Sequence, residues 1–472
     1  MNIYIPIEIK VRELEGRTLL ALTAAERGHT VILGAKNDTI GLAKRGSLPP
    51  GLVHMKSITP HDSMFDLLAS LKENNHAITV QDEEGGLLDE SYDTFAKLRF
   101  SNESILQVDR VCTWGRYDAL SLKNFYPECE EKISVTGSPR VDFWRKDFAG
   151  YHNGENEKLL IHGKPYILIV SNFSGPLNEN RFWNIMARLN EAGYFDREEG
   201  RERHEFENAA YQTRLIGEFV FMIRDLAKFF PDYNILVRPH PVESIEGWNK
   251  LIGNIPGVFV KREGTISKWI RNAELIIHNG CTSGLEAAIS GENRIAYRPI
   301  PHEIEREIPN KVSINVFSFY ELKDKVHAIL NAEPMHKIYT NKSEIDKILN
   351  NRFAAIDGSL AADKIVDVWD IVAKEKNLVN SGTPEVLKKS LELRKPTIQQ
   401  SVKQKLAGIK NNILGKSRET KRDNVLLKSA FKFPEFKEEE LSEIKNNLER
   451  TLGRFKDVQF QRHGEKSFIL YK

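Results

Sequence analysis

Cysteine is scarce in this chain. Cys112, Cys129 and Cys281 are the three in 472 residues, an odd number at scattered positions, which excludes a disulfide scaffold and the paired spacings of a zinc site. Such usage fits a reducing compartment. Long apolar runs are missing too: none approaches the ~20 residues that a membrane span needs. The opening "MNIYIPIEIKVRELEG" meets charge before any apolar h-region can form, so it predicts a first strand and not a signal peptide. A cytoplasmic protein is expected, touching membrane at most as a peripheral protein of the inner membrane. Net charge is almost absent at +2, so the electrostatic information lies in its distribution.

What the chain does have is length and alternation. A length of 472 residues with 40% hydrophobic and 28% charged residues is a soluble globular composition, too long for one core, because single cores stop growing at roughly 250–300 residues. "NIYIPIEI", "TVILG", "HAITV", "RVCTW" and "KISVTG" are apolar or β-branched runs separated by helical spacing. The pattern restarts after a polar stretch, "AGYHNGENEKLLIHGK", with "PYILIVSNFSG", "YNILVRPHP", "GVFVKR", "ELIIHNGCTSG" and "NRIAYRPI". Strands alternating with helices predict an α/β fold of parallel sheets. The expected domains are 1–150 and 164–375, both Rossmann-like, followed by a basic helical extension over 376–472. In that extension Ile398, Val402, Leu406, Ile409 and Ile413 recur at helical spacing among lysines. One reading is a helix packed on the second domain; the other is contact with an anionic membrane surface through 388–422. Nucleic acid fits less well, because no stacking aromatics are interleaved there.

Three clusters follow predicted strands, where ligands of open α/β sheets sit. "QDEEGG" places Asp82, Glu83 and Glu84 side by side. Mutual repulsion in a partly buried cleft would raise at least one pKa and suit it to general-base work; the alternative is an exposed acidic turn. "ILVRPHPVES" ends a buried strand in Arg238 and His240, held by Pro239 and Pro241, although such a histidine can also satisfy a core hydrogen bond. "IIHNGCTSGLEAA" delivers a helix start bearing Thr282 and Ser283, with Glu286 in its first turn. Free N–H groups there make an anion site, or simply an ordinary capped helix. Near the N-terminus "EIKVRELEGR" sets Lys10, Arg12, Glu13 and Gly16 at the exit of the first strand, and Arg140 with Asp142 follows another. Each of these could also do no more than brace a helix.

The order acidic-acidic-Gly, His-Pro, Ser/Thr-Ser resembles bacterial polysialyltransferases, and more broadly capsule Kdo transferases and the CDP-glycerol glycerophosphotransferases of teichoic acid synthesis. Here the three are Glu83-Glu84-Gly85, His240-Pro241 and Thr282-Ser283, and "TGSPRVDFW" is similar to a Gly-x-Pro-Arg-x-Asp stretch of the last family. The resemblance covers the chain to about residue 375 and implies a GT-B fold, two Rossmann-like domains facing a cleft. It implies Glu83 as general base, with Glu84 or Asp82 as the fallback, and His240 as donor-phosphate contact and general acid. Arg238, Pro241, Asn279, Thr282, Ser283, Gly284, Glu286, Ser171 and Ser174 form the implied donor set, and Lys10, Arg12, Glu13, Gly16 and Arg140 the acceptor set.

The expected protein is therefore a glycosyltransferase of bacterial surface polysaccharide, capsule or lipopolysaccharide. It would move an acidic sugar, Kdo or a sialic-acid-like sugar, from a CMP-sugar donor to a glycan acceptor carried on lipid. No cofactor, no catalytic metal and no nucleic acid are expected. Alternatives are a CDP-glycerol-type polyol phosphotransferase, a UDP-sugar epimerase of the same fold, and a non-catalytic polysaccharide-binding subunit.

Overall fold

The computed structural model describes residues 1–85, 91–153, 159–191, 193–197, 199–332, 341–378 and 433–472. The chain forms two compact units, one of 1–86, 91–143 and 350–472, the other of 87–90 and 144–349. The first holds an eight-stranded sheet ordered β13-β14-β2-β1-β3-β4-β5-β6. Its strands are β1 Asn2–Ile7, β2 Thr30–Ala35, β3 Leu52–Met55, β4 Ala77–Val80, β5 Arg110–Thr113, β6 Ile133–Val135, β13 Gln459–Gly464 and β14 Ser467–Tyr471. From β2 to β6 every pairing is parallel. Buried on both faces, β1 and β3 are as apolar as parallel strands must be. The second unit has a six-stranded sheet, β12-β11-β10-β7-β8-β9, built from β7 Tyr166–Val170, β8 Asn234–Arg238, β9 Val258–Val260, β10 Leu275–His278, β11 Arg294–Tyr297 and β12 Ile314–Val316. It is parallel throughout. These are two Rossmann-like α/β units, the fold class that the alternation predicts.

The domain limits differ from the expected ones. The Ala361–Glu375 helix belongs to the first unit and not to the second. Asp142, fully buried, accepts the N–H groups of Ala361 (2.8 Å) and Ala362 (3.0 Å) and so caps that helix from 219 residues away. Trp369 is buried on the same helix and donates to Thr79 of β4 at 3.0 Å. Nothing local in the sequence marks either contact.

The extension is not simply helical and basic. Its Glu438–Leu452 helix opens with three glutamates, and β13 and β14 form an antiparallel hairpin that adds β14 to β2. Buried Phe468, Ile469 and Leu470 seal that edge, each worth roughly 1.5–3 kcal/mol of apolar burial. Gly34 makes the junction possible, since a Cβ there would lie 2.4 Å from the Lys466 carbonyl oxygen. The amphipathic stretch 388–422 lies outside the described residues. Among the described residues no helix is long and apolar enough to cross a membrane.

Candidate functional site

In the first unit, the chain leaving β1, β4 and β6 converges at the carboxyl ends of the parallel strands. Arg12, Glu13, Gly16, Arg17, Gln81, Glu83, Pro139 and Arg140 line a narrow cleft there. Gly16 on the Lys10–Glu26 helix lets the Pro139–Arg140 backbone come close; a Cβ would sit 3.1 Å from the Arg140 nitrogen. Gln81 donates to the Gly137 carbonyl at 2.6 Å, tying the β4 and β6 exits together.

The expected repulsion among Asp82, Glu83 and Glu84 is only a minor contribution, that of Glu84 on Asp82, because each carboxylate has its own guanidinium. Glu83 is buried against Arg17 at 2.8 Å, with 8% and 4% of the two side chains exposed. Glu84 pairs with Arg12 at 2.6 Å and keeps 48% of its side chain exposed. Asp82 receives Arg99 in a forked pair, Nε at 2.9 Å and Nη2 at 3.0 Å. Burial holds Asp82 above the usual carboxylate range against the opposing pull of Arg99. Burial would raise Glu84 as well, but Arg12, with Lys56 and Arg99 behind it, outweighs that and leaves it below the usual range. Arg17 and Arg99 are the partners that sequence reasoning missed. Arg17 follows Glu13 by four residues on the same helix, which was the available signal; Arg99 carried none.

The acceptor candidates divide. Glu13 is buried, accepting Lys56 at 2.9 Å and the Glu8 N–H at 2.8 Å, so it holds the β1 and β3 exits. Lys10 turns to Glu440 at 2.6 Å, in the C-terminal helix. Arg12, Gly16 and Arg140 do line the cleft with Glu83. The Nε groups of Arg12 and Arg17 are buried without a hydrogen-bond partner among the described residues.

In the second unit the chain runs β7, β8, β9 and then returns to place β10 beside β7. That reversal is the switch point, where the carboxyl ends of neighbouring strands open a crevice. The β10 exit, Asn279 to Cys281, starts the Thr282–Ser290 helix at this place. Its N-cap, Cys281, makes no full side-chain cap bond, although its buried sulfur lies against the Ser283 and Gly284 N–H groups, and Gly284 donates to the Cys281 carbonyl at 3.1 Å. Thr282 is half-buried, Ser283 is buried, and the Asn279 Oδ1 is buried without a partner among the described residues. Thr282, Ser283, Gly284 and Asn279 are thus brought together.

A buried histidine supports this loop from behind. Ser313 Oγ donates to the Pro309 carbonyl at 2.7 Å and therefore accepts from His278 Nε2 at 2.9 Å. That leaves Nδ1 to accept the Gly280 N–H at 3.0 Å, and the tautomer is fixed. Burial, with Arg294 adding to it, lowers His278 to about 3, so the imidazole is neutral. Gly284 packs on the ring; a Cβ would meet Nε2 at 2.6 Å.

The adjacent exits are braced similarly. Glu243, fully buried, accepts the Ser171 hydroxyl (2.6 Å), the Phe173 N–H (2.6 Å) and the Trp248 indole (2.7 Å). Burial raises its pKa while these donors oppose the rise. It joins the β7 loop to the His240-Pro241 turn, where His240 and Pro241 are exposed. Ser171, Arg238 and Glu286 turn inward: Ser171 to Glu243, Arg238 to the Glu263 and Gly264 carbonyls, Glu286 to Ser267. Burial brings Arg238 down to about 10. The half-buried Ser174 offers its carbonyl to Asn178 at 2.9 Å. Glu243 and His278 stand inside the quoted motifs but were not singled out, since a motif does not say which side chain points inward. Among the described residues, no group of three or more His, Cys, Asp or Glu is placed to hold a metal ion.

No protein-family profile matches the chain. No curated protein matches it in sequence. The wall teichoic acid polymerase TagF with CDPG is 15% identical over 69% of this chain and 72% of that one, with a TM-score of 0.39. A UDP-N-acetylglucosamine 2-epimerase assigned in Listeria monocytogenes is 12% identical over 81% of this chain and 98% of its own, at 0.46. S. aureus MnaA with UDP is 14% identical over 81% and 98%, at 0.41. Likeness at this level assigns no residue and no reaction.

Proposed function

We propose that the chain is a nucleotide-sugar-dependent glycosyltransferase of bacterial surface polysaccharide, using a CMP-activated acidic sugar and a glycan acceptor. The observation that carries the reading is the helix start at Thr282, set at the switch point of the second sheet and held by a neutral, buried His278. Such a start favours a phosphate through its N–H groups and dipole. The choice of cytidine rests on the order of the three motifs.

In this reading Thr282 and Ser283 hold the donor phosphate, and His240 contacts it as charge develops on the leaving group. Glu83 takes the proton of the acceptor hydroxyl as the new C–O bond forms at the anomeric carbon and the bond to phosphate oxygen breaks. Arg12 and Arg140, each partly exposed in the cleft, suit the carboxylate of an acidic acceptor. Attachment of the acceptor to lipid, and membrane contact through 388–422, belong to the same proposal.

The test is CMP release from CMP-sugars in the presence of acidic glycan acceptors. Glu83→Gln and His240→Ala should each abolish release, and normal turnover in both variants refutes the assignment. Phosphate retained in the product would instead mark a polyol phosphotransferase, and isomerisation without acceptor an epimerase.

A further inference from the structure

The order of the second sheet sets a distance that the transfer must bridge. β7 lies between β8 and β10, so the His240 turn and the Thr282 helix start leave the sheet two strand spacings apart, roughly 10 Å. The β7 exit, beginning at Ser171, leaves between them. For His240 to meet a phosphate held at Thr282, its turn must be fixed and the β7 exit must stay out of the gap.

One side chain meets both conditions. Glu243 is fully buried. From the β7 exit its carboxylate accepts the Ser171 hydroxyl and the Phe173 N–H, each at 2.6 Å. From the β8 exit the His240 N–H lies against the same carboxylate, and the Glu243 N–H donates to the His240 carbonyl at 2.8 Å, closing the turn around Pro241 and Val242. The Trp248 indole, on the Ile245–Ile252 helix, donates at 2.7 Å and anchors the group. A carboxylate has lone pairs for all these donors, whereas an amide would set an NH2 group against at least one of them. Within the turn His240 Nδ1 accepts the Val242 N–H at 3.4 Å, so the neutral ring carries its proton on Nε2.

We infer that Glu243 is a positioning residue for the transfer: it acts through His240, holding the imidazole at the crevice while it draws the β7 exit aside. The inference rests on the transferase reading. A reacting group misplaced by about 1 Å can lose about 10²-fold in rate, so the effect belongs to kcat. Donor binding, carried by Thr282 and Ser283, is spared.

The test compares full-length Glu243→Gln, Glu243→Asp and Trp248→Phe with wild type in steady-state CMP release, thermal stabilisation by CMP and hydrogen exchange of the backbone. Glu243→Gln should lower kcat at least about tenfold with donor KM within about twofold. Its stabilisation by CMP should match wild type, and exchange should quicken in 238–244 but not in 279–284. Glu243→Asp keeps the charge and withdraws the carboxylate by one methylene; it should fall between the two, and it carries the test if Glu243→Gln does not fold. Trp248→Phe removes a donor that has no bond to His240, so it should lower thermal stability and leave kcat within about twofold. The inference is overturned if the Glu243 variants keep wild-type kcat, or if Trp248→Phe loses kcat as they do, because the effect then follows stability and not His240. A wild-type protein that neither releases CMP nor responds to it sinks the transferase reading; quickened exchange in 238–244 would still show Glu243 holding the turn, and unchanged exchange would refute that as well.

Discussion

The carboxyl ends of the two sheets handle charge in opposite ways. In the first unit the residues that look reactive in sequence are themselves locked: Asp82, Glu83 and Glu84 are each matched by an arginine. In the second unit the locking is done by residues behind the surface, His278 and Glu243, while Thr282 and His240 are left toward solvent. An acidic run is therefore no guide to free charge, and the framework under a polar loop can matter as much as the loop.

Substitutions can break that comparison. The largest expected effect is on turnover: Glu83→Gln and His240→Ala should lower CMP release at least about 10²–10⁴-fold, the usual contribution of a positioned acid or base. Next is Arg17→Met, which leaves Glu83 buried and unpaired and should cost about 3–5 kcal/mol in chemical denaturation. Glu243→Ala should cost about 3 kcal/mol, since three buried donors lose their acceptor. If Glu84→Gln proves as damaging as Arg17→Met, the contrast between buried and exposed pairs fails; about 0.5 kcal/mol or less is expected, because Glu84 is half exposed.

A pH series sharpens the second half of the comparison. The unfolded His278 imidazole takes up a proton below 6.5 and the folded one only near 3. The unfolded chain therefore binds more protons in that interval, and stability falls as pH is lowered. The loss should reach about 2 kcal/mol by pH 5, from about 1.4 kcal/mol per unit. His278→Asn should flatten the denaturation profile between pH 7 and pH 5 by that amount. Part of the remaining slope belongs to His152, also held at about 3 by burial.

Much of the fold was legible because parallel strands advertise themselves as apolar runs: β1 and β4 to β11 fall within the predicted segments, and β2 overruns its own only by Ala35. The weak strands were not legible. β3 is four residues containing His54, whose Nδ1 pairs with the Thr79 hydroxyl at 2.9 Å, and β12 is three residues only partly buried. β14 reads as an apolar tail until β2 is known to lack a neighbour on that side. At the strand exits, the sequence marks the loops but not the direction of each side chain. Ser171, Arg238 and Glu286 face inward because each has a partner 19 to 72 residues away, and no local pattern encodes such a contact.

The central claim is that the Thr282 helix start receives a nucleotide phosphate. Thermal stabilisation by CMP, UDP, GDP and NAD, compared in wild type and in Thr282→Ala/Ser283→Ala, tests it most directly. A response selective for CMP and lost in the double variant is the predicted result. Equal responses in both proteins, or none to any nucleotide, would contradict it.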